Sequence, residues 1–158
     1  MSSDGSTLLF GAFPPQFRLT SEEKRLLKNF LHLLSDRVAS GRAVVCLIAG
    51  DRTLQRLNLQ FLGHNYATDV LSFPSGGENG ALGDLAISIE RAEMQASKFG
   101  HARTDELKVL MLHGVLHLTG LDHERDQGEM AASERRWRIE FGLPLALTER
   151  DRAGVVRS

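Results

Sequence analysis

Residues 109–118, VLMLHGVLHL, are apolar on almost every side of a helix, so this stretch must lie largely inside the fold. It carries His113 and His117, and His123 follows shortly afterwards, beyond Gly120. Residues four apart lie above one another on a helix, so the first two imidazoles can point at one position. Gly120 predicts the end of the helix, because glycine readily takes the left-handed conformation that turns the chain. After that turn, His123 can return toward the same position.

The three histidines have two explanations. As core residues without partners, they would forfeit hydrogen bonds worth roughly 1–3 kcal/mol each. As ligands, they would fill three corners of a tetrahedron at ~2.0–2.1 Å from a zinc ion and leave the fourth corner for water. We therefore predict that His113, His117 and His123 hold one Zn²⁺ per chain. Another divalent transition metal is an alternative, because nickel, copper and iron also accept imidazole ligands.

The histidine spacing is that of the metzincin proteases, H-E-x-x-H-x-x-G-x-x-H, with one difference. Gly114 occupies the position of the glutamate, which is the general base of the protease. Its absence weakens the peptidase interpretation. It favours hydrolysis in which the metal ion lowers the pKa of water and acts as a Lewis acid on the scissile group.

Four carboxylates are candidates for a supporting role, and none is predicted to be the catalytic base. Asp122 and Glu124 flank His123, where they could orient the imidazoles or lie exposed at the start of the next helix. Asp69 and Asp84 lie at the starts of predicted strands, where they could face the site or hydrogen-bond a turn. The catalytic residues are therefore left unassigned.

The rest of the chain predicts a single domain of α+β class, residues 1–158, with a small mixed sheet of about four strands covered by about five helices. The metal site would lie on a central helix and the turn after it. Thr20 and Glu23 form a capping box for the first helix, and Asp51 is predicted to cap the second. Residues 68–89 predict a hairpin with a glycine-rich loop, which is either a flap or an ordinary connection. The polar tail from about 148 is predicted to be flexible.

Composition limits the class of protein but does not indicate a substrate. The first twenty residues lack a secretory signal, and no run approaches the ~18 apolar residues of a membrane span, so we expect a soluble, cytoplasmic protein. Cys46 is the only cysteine, and its apolar setting predicts a buried strand residue. The net charge of −1 neither favours nor excludes a nucleic-acid partner.

Several blocks of the sequence, in order and spacing, resemble the YbeY family of bacterial endoribonucleases. These blocks are LN at 57–58, ATDVLSFP at 67–74, LGDLAIS at 82–88, EL at 106–107, HGVLHLTGLDH at 113–123, and Met130 with Glu134. The resemblance implies a cytoplasmic, metal-dependent, single-strand-specific endoribonuclease that acts in ribosomal RNA maturation, at the 3′ end of 16S rRNA, and in ribosome quality control. It implies single-stranded RNA, ribosomal RNA and the small ribosomal subunit as partners. His113, His117 and His123 match the family's three metal ligands.

One position departs from the family pattern. Leu62 stands where the family usually has an arginine, and leucine cannot hold a phosphate. Either another cation replaces it, with His64 as a candidate, or this member cleaves more slowly or differently. Two basic groups could contact phosphates or simply form solvated helix faces. They are Lys24, Arg25 and Lys28 on the first helix, and Arg135, Arg136 and Arg138 around Trp137.

Three functions are therefore compatible with the sequence. The first is metal-dependent hydrolysis of RNA. The second is a metallohydrolase of another class, a peptidase or amidase, which the glycine at position 114 disfavours. The third is an RNA-binding ribosome-assembly factor with a structural metal.

Overall fold

All four predicted strands join one sheet in the computed structural model of the chain, which describes residues 5–76, 80–121 and 128–152. The strands are β1 (Thr7–Phe10), β2 (Ala43–Ala49), β3 (Val70–Pro74) and β4 (Ala81–Ser88). The α-helices in the described ranges are α1 (Ser21–Arg37), α2 (Asp51–Leu62), α3 (Ile89–Phe99), α4 (Arg103–Leu118), α5 (Glu129–Glu140) and α6 (Leu147–Arg152). This arrangement confirms the predicted α+β class. None of these helices is both long and apolar enough to cross a lipid bilayer.

The sheet is mixed and has the order β1-β2-β4-β3. The first three strands in this order run parallel, whereas β3 pairs antiparallel with β4, from Val70 opposite Ile87 to Pro74 opposite Gly83. The predicted hairpin is thus confirmed, and Pro74 lies on an edge strand, where a missing N–H does little harm. Residues 77–79 of the connecting loop, the candidate flap, lie outside the described residues.

The two faces of the sheet are covered unequally. Leu85 and Ile87 of β4 belong to the main core, which also contains the buried leucines of α1 and α4. Side chains alternate along a strand, so Ala86 faces the other way, into a smaller cluster with Leu54 of α2 and Leu71. α2 covers only part of this second face. An apolar groove of about 350 Å³ remains beside it.

The ends of α1 and α2 are capped in different ways. At α1 the predicted capping box is present: Thr20 Oγ1 accepts a hydrogen bond from the N–H of Glu23, and Glu23 Oε1 accepts one from the N–H of Thr20. At α2 the prediction was wrong, because Gly50 is the N-cap and Asp51 is already helical. Glu90 supplies the missing acceptor, with Oε2 2.7 Å from the N of Asp51.

Asp51 does not cap α2 because its carboxylate has other partners. Its Oδ1 accepts a hydrogen bond from Ser88 Oγ at 2.6 Å and lies 3.4 Å from Nε of Arg91. Asp51 therefore ties α2 to the start of α3 rather than capping its own helix. A sequence window around one helix end cannot reveal a cap that comes from thirty-nine residues away.

The C-terminal region differs from the predicted flexible tail. α6 is anchored by Arg150, whose guanidinium is 1 % exposed and forms two hydrogen bonds to Glu106 of α4, at 2.7 and 2.8 Å. His101, in the loop between α3 and α4, places its Nε2 2.7 Å from the same carboxylate. Residues 148–152 are thus helical, and residues 153–158 lie outside the described residues.

Cys46 lies in β2 as predicted and is fully buried. Burial in apolar surroundings raises the pKa of its thiol to about 12, because the thiolate has no solvation there. The residue is therefore a packing element of the central strand, not a reactive thiol.

Candidate metal centre

The helix α4 places the first two predicted ligands. Its residues from Val109 to Leu116 are all buried, because they pack between the sheet and the neighbouring helices. The helix ends at Leu118, and Gly120 follows with a φ of 103°, as the sequence predicted. His113 is 2 % exposed, whereas His117, one turn later, is half-buried. The histidine pair therefore lies where the buried helix reaches the protein surface.

The two imidazoles converge on each other. Nε2 of His113 lies 3.2 Å from Nε2 of His117, and the ring planes are inclined by 69°. Two nitrogen ligands of one tetrahedral zinc ion are about 3.3–3.4 Å apart, given zinc–nitrogen distances of 2.0–2.1 Å. The observed separation thus fits two ligands of one ion, and the donor set suits zinc.

Glu134 of α5 holds the first histidine from behind. Its Oε2 is hydrogen-bonded to Nδ1 of His113, and the carboxylate is fully buried. An ionised carboxylate can only accept, so Nδ1 carries the proton and Nε2 presents a lone pair toward His117. The contact thereby fixes both the tautomer and the orientation of the ring.

Sequence reasoning quoted Glu134 only as part of a family block and gave it no role. A signal was nevertheless present: Glu134 lies four residues after the buried Met130, on the apolar stripe of α5. A carboxylate at a core position needs a buried partner, and His113 is that partner.

The third predicted ligand, His123, lies outside the described residues, as do its neighbours Asp122 and Glu124. Among the residues that the structure does describe, no three His, Cys, Asp or Glu side chains are grouped closely enough to hold a metal ion. The described part of the candidate centre therefore consists of His113 and His117, supported by Glu134.

The two strand carboxylates have other functions. Asp69 is buried at the start of β3, where Oδ1 accepts a hydrogen bond from the N–H of Val70 at 2.8 Å, and Oδ2 lies 3.5 Å from Nε2 of Gln95. It therefore hydrogen-bonds the turn. Asp84 is exposed and lines the apolar groove on the face of the sheet that α4 does not cover. Its carboxylate points away from the histidines.

Gly114 lies where α4 approaches the sheet most closely. A Cβ atom added there would lie 2.6 Å from Cδ2 of Leu85 and 3.3 Å from Cγ2 of Val70. Ser72 Oγ also donates a hydrogen bond to the carbonyl of Gly114, at 3.3 Å. The position thus faces the sheet, a quarter of a turn from His113, and has no room for a side chain. The glutamate of a metzincin could not be accommodated here.

Three residues of the two basic groups, Arg25, Arg138 and Trp137, have structural contacts. Trp137 packs against the core and stacks on Phe141, with ring centroids 5.4 Å apart. Arg138 forms hydrogen bonds of 2.6 and 2.8 Å with Glu149, and Arg25 is paired with Glu22 on the same helix. These contacts favour the interpretation of solvated helix faces over that of phosphate-binding groups.

Leu62 is the last residue of α2 and is about half exposed, so this departure from the family pattern lies on the surface. His64, the candidate replacement for the arginine, is exposed, and its ring lies 5.5 Å from that of Tyr66. Neither observation links these two residues to the histidine pair.

Comparison with known proteins identifies the family of the chain. A family model described as Endoribonuclease YbeY matches residues 16–141. A relative from Solibacter usitatus, named Endoribonuclease YbeY, is 50 % identical over 94 % of this chain and 97 % of its own length. A relative of the same name from Nautilia profundicola is 40 % identical over 79 % of this chain and 87 % of its own.

Among solved structures, the solution structure of TM1509 from Thermotoga maritima superposes with a TM-score of 0.57 at 25 % identity, covering 85 % of this chain and 91 % of that one. The fold is thus shared with a solved protein at low sequence identity. On the strength of the family match and the curated relatives, the chain belongs to the Endoribonuclease YbeY family.

Proposed function

We propose that this protein is a metal-dependent, single-strand-specific endoribonuclease. The observation that carries the proposal is the pair of facing imidazole Nε2 atoms of His113 and His117, with Glu134 behind the first, in a chain of the Endoribonuclease YbeY family. The separation of 3.2 Å suits two ligands of one tetrahedral ion, and a metal provides a reason to bring two imidazoles together beside the surface.

His113, His117 and His123 would hold the ion, which we expect to be one Zn²⁺ per chain. A bound zinc ion would supply Lewis acidity toward a phosphate and would activate water. Glu134 orients His113, and the deep burial of that histidine excludes water from its back side. The half-buried His117 marks the side from which a substrate can approach.

A peptidase or amidase is the weaker alternative. In the metzincin pattern the base occupies position 114, and the structure has no space for a carboxylate there. Asp69 and Asp84 do not replace it, since one is engaged in a turn and the other faces the opposite side of the sheet. The third possibility is an assembly factor that binds RNA without cleaving it, and the cleavage assay described below distinguishes it from a nuclease.

The biological setting is part of the proposal. Relatives named Endoribonuclease YbeY, together with the family resemblance, support a role in ribosomal RNA maturation. We propose the 3′ end of 16S rRNA as the processed site, a further role in ribosome quality control, the small ribosomal subunit as partner, and the cytoplasm as location.

The test is cleavage of a labelled single-stranded RNA and of the matching duplex by purified protein, with its metal content measured. We expect cleavage of the single strand alone, its loss with chelator, and its return with Zn²⁺. His113→Ala should lose activity and bound metal, whereas His32→Ala, a histidine of α1, should keep both. A fully metallated wild-type protein that binds RNA and leaves it intact would exclude the nuclease and favour the assembly factor.

A further inference from the structure

From Arg52 to Thr68, α2 and the loop after it carry no acidic residue, whereas Asp51 begins the helix and Asp69 follows the loop. The same segment contains two arginines and one histidine. In the chain as a whole, acidic and basic residues are nearly equal in number, 20 against 19. This segment is therefore the kind of surface that a polyanion can approach without repulsion.

The same segment exposes large apolar and aromatic side chains. Phe61 is 58 % exposed, Tyr66 56 %, and the neighbouring Leu59 and Leu62 about half. The Phe61 ring rests edge-on against Phe73 of β3, with centroids 5.6 Å apart, and His64 lies beside Tyr66. Burial does not explain the position of Phe61 and Tyr66, because more than half of the surface of each of these two residues is exposed to solvent.

Hydrogen bonds fix the loop that carries His64 and Tyr66. Asn58 is only 2 % exposed, and its side-chain Nδ2 donates a hydrogen bond to the backbone carbonyl of Tyr66 at 3.0 Å. The backbone carbonyl of Asn58 accepts a hydrogen bond from the N–H of His64 at 3.2 Å. Gln55 Nε2 donates to Oδ1 of Asn65 at 3.0 Å. A polar side chain of the core is thus used to hold a loop whose aromatic residues point outward. Such preorganisation lowers the entropic cost of binding a ligand.

The two arginines of α2 form no ion pair within the described structure. Arg25, Arg37, Arg91, Arg103, Arg138 and Arg150 each form an ion pair. Arg52 and Arg56, both exposed and one helical turn apart, pair with no acidic side chain among the described residues. Two guanidinium groups on the helix that bears Phe61 are therefore available to phosphates.

The surface adjoins the candidate metal centre across the edge strand. Phe73 of β3 supports Phe61 on one face of the sheet. Its neighbour Ser72 contacts the carbonyl of Gly114 on the other face, next to His113. An extended chain that passes the edge of β3 can thus contact both the exposed rings and the histidine pair.

We propose that Phe61 and Tyr66 form a stacking platform for the bases of single-stranded RNA, while Arg52 and Arg56 neutralise neighbouring phosphates. The choice of RNA as occupant rests on the proposed function. Exposed aromatic rings and unpaired cations on one segment are the combination by which proteins bind single strands without reading their sequence, because every base has a face that can stack. A duplex hides these faces, so the platform also accounts for a single-strand preference.

The test is the affinity of purified full-length protein for a fluorescently labelled 12-nucleotide oligouridylate, measured by anisotropy in chelator so that no cleavage occurs. Phe61→Leu keeps the apolar bulk but removes the ring, and Tyr66→Ala leaves the backbone bond to Asn58 intact. Each should weaken binding by about five- to a hundredfold, the range of one lost stacked base. Tyr66→Phe should bind as the wild type does. Met94→Ala, which truncates an equally exposed side chain on α3, is the matched control and should have no effect.

Two further measurements separate stacking from charge. An oligonucleotide of the same length with abasic positions should bind the wild type and Phe61→Leu equally. Arg56→Gln should lower the slope of log affinity against log salt by roughly 0.7, the value for one phosphate contact to a single strand, and Phe61→Leu should leave this slope unchanged. Melting temperatures close to that of the wild type establish that each variant is folded.

The platform is refuted if the wild type does not bind the oligonucleotide, if Phe61→Leu and Tyr66→Ala bind it as tightly as the wild type, or if Met94→Ala loses as much affinity as they do. An equal loss on the abasic strand also refutes it, because the rings would then contribute to affinity without stacking on bases. The outcome is independent of the proposed function, since affinity is measured without cleavage. A chain that loses affinity in these variants but never cleaves RNA would refute the nuclease and leave the platform standing.

Discussion

Nδ1 of His113 on α4 is hydrogen-bonded to the carboxylate of Glu134 on α5, and both side chains are buried. The contact joins a predicted metal ligand to a helix that begins beyond the turn after α4. It stabilises one ring orientation, in which the lone pair of Nε2 points toward His117. The packing of α5 on α4 and the geometry of the proposed site are thereby coupled.

Replacing Glu134 should weaken metal binding. Glu134→Ala leaves the Nδ1–H group of His113 buried without an acceptor, so the imidazole is free to turn away. We expect about 10- to 100-fold weaker zinc affinity, measured by competition with a chromophoric chelator. Glu134→Gln, which retains an acceptor, should lose less. Glu140→Gln on the exposed side of the same helix is the control, and an equal loss there would mean that Glu134 acts only through stability.

Replacing Gly114 by glutamate, which would restore the metzincin motif, should destabilise the fold. Gly114→Glu would place its side chain against Leu85 and Val70 in the core, where over-packing costs about 1–3 kcal/mol and an unpaired buried charge costs several more. We expect a loss of at least ~3 kcal/mol in the free energy of unfolding, measured by urea denaturation, with no gain of peptidase activity. Ala132→Glu on the exposed face of α5 should be nearly neutral. A stable Gly114→Glu protein that cleaves peptides would revive the peptidase hypothesis.

The sequence predicted the elements that have a regular period, and it predicted that His113 and His117 converge. The apolar spacing of α1 and the capping box at Thr20 are local, so a short window contains the whole signal. His113 and His117 are four residues apart on one helix, and their convergence follows from helical geometry alone.

Contacts between distant elements could not be predicted in this way. The cap of α2 by Glu90 and the anchoring of α6 by Arg150 depend on which helices pack together, and no short-range pattern encodes that. Gly114 was interpreted as a missing catalytic base, whereas its close approach to Leu85 also gives a packing reason for a glycine there. A position inside a motif can thus lack a catalytic side chain because of how the backbone packs there.

Arg150 should be essential to stability despite its place near the end of the chain. Arg150→Ala removes both guanidinium hydrogen bonds from the fully buried carboxylate of Glu106, and breaking a buried pair in this way costs about 3–5 kcal/mol. Arg25→Ala removes an exposed pair with Glu22 and should cost no more than ~0.5 kcal/mol. Chemical denaturation of both variants measures the difference. Equal losses in the free energy of unfolding would show that α6 is not held by this contact. The double variant Glu106→Leu, Arg150→Met removes both charges and should recover much of the stability lost in Arg150→Ala.

Stability should fall in acid, in part through Glu23. Its carboxylate accepts two hydrogen bonds from Arg103, each 2.9 Å long, and these lower the pKa of Glu23 in the folded protein below its ordinary value. The unfolded chain lacks this contact and therefore binds the proton more readily. The contribution of Glu23 is complete above pH ~4.5, the ordinary value, and is lost as the pH falls through the lower pKa of the folded state.

Glu23→Gln should therefore be less stable than the wild type at pH 7, by at most about 1 kcal/mol because the pair is partly exposed. The difference should shrink toward zero below pH 3. Arg103→Gln should show the same shrinking difference, since the carboxylate then titrates near its ordinary pKa in both states. Urea midpoints from pH 2.5 to 7 measure these differences. A difference between Glu23→Gln and the wild type that stays constant over this range would show that Arg103 holds the α1 terminus by geometry rather than by charge.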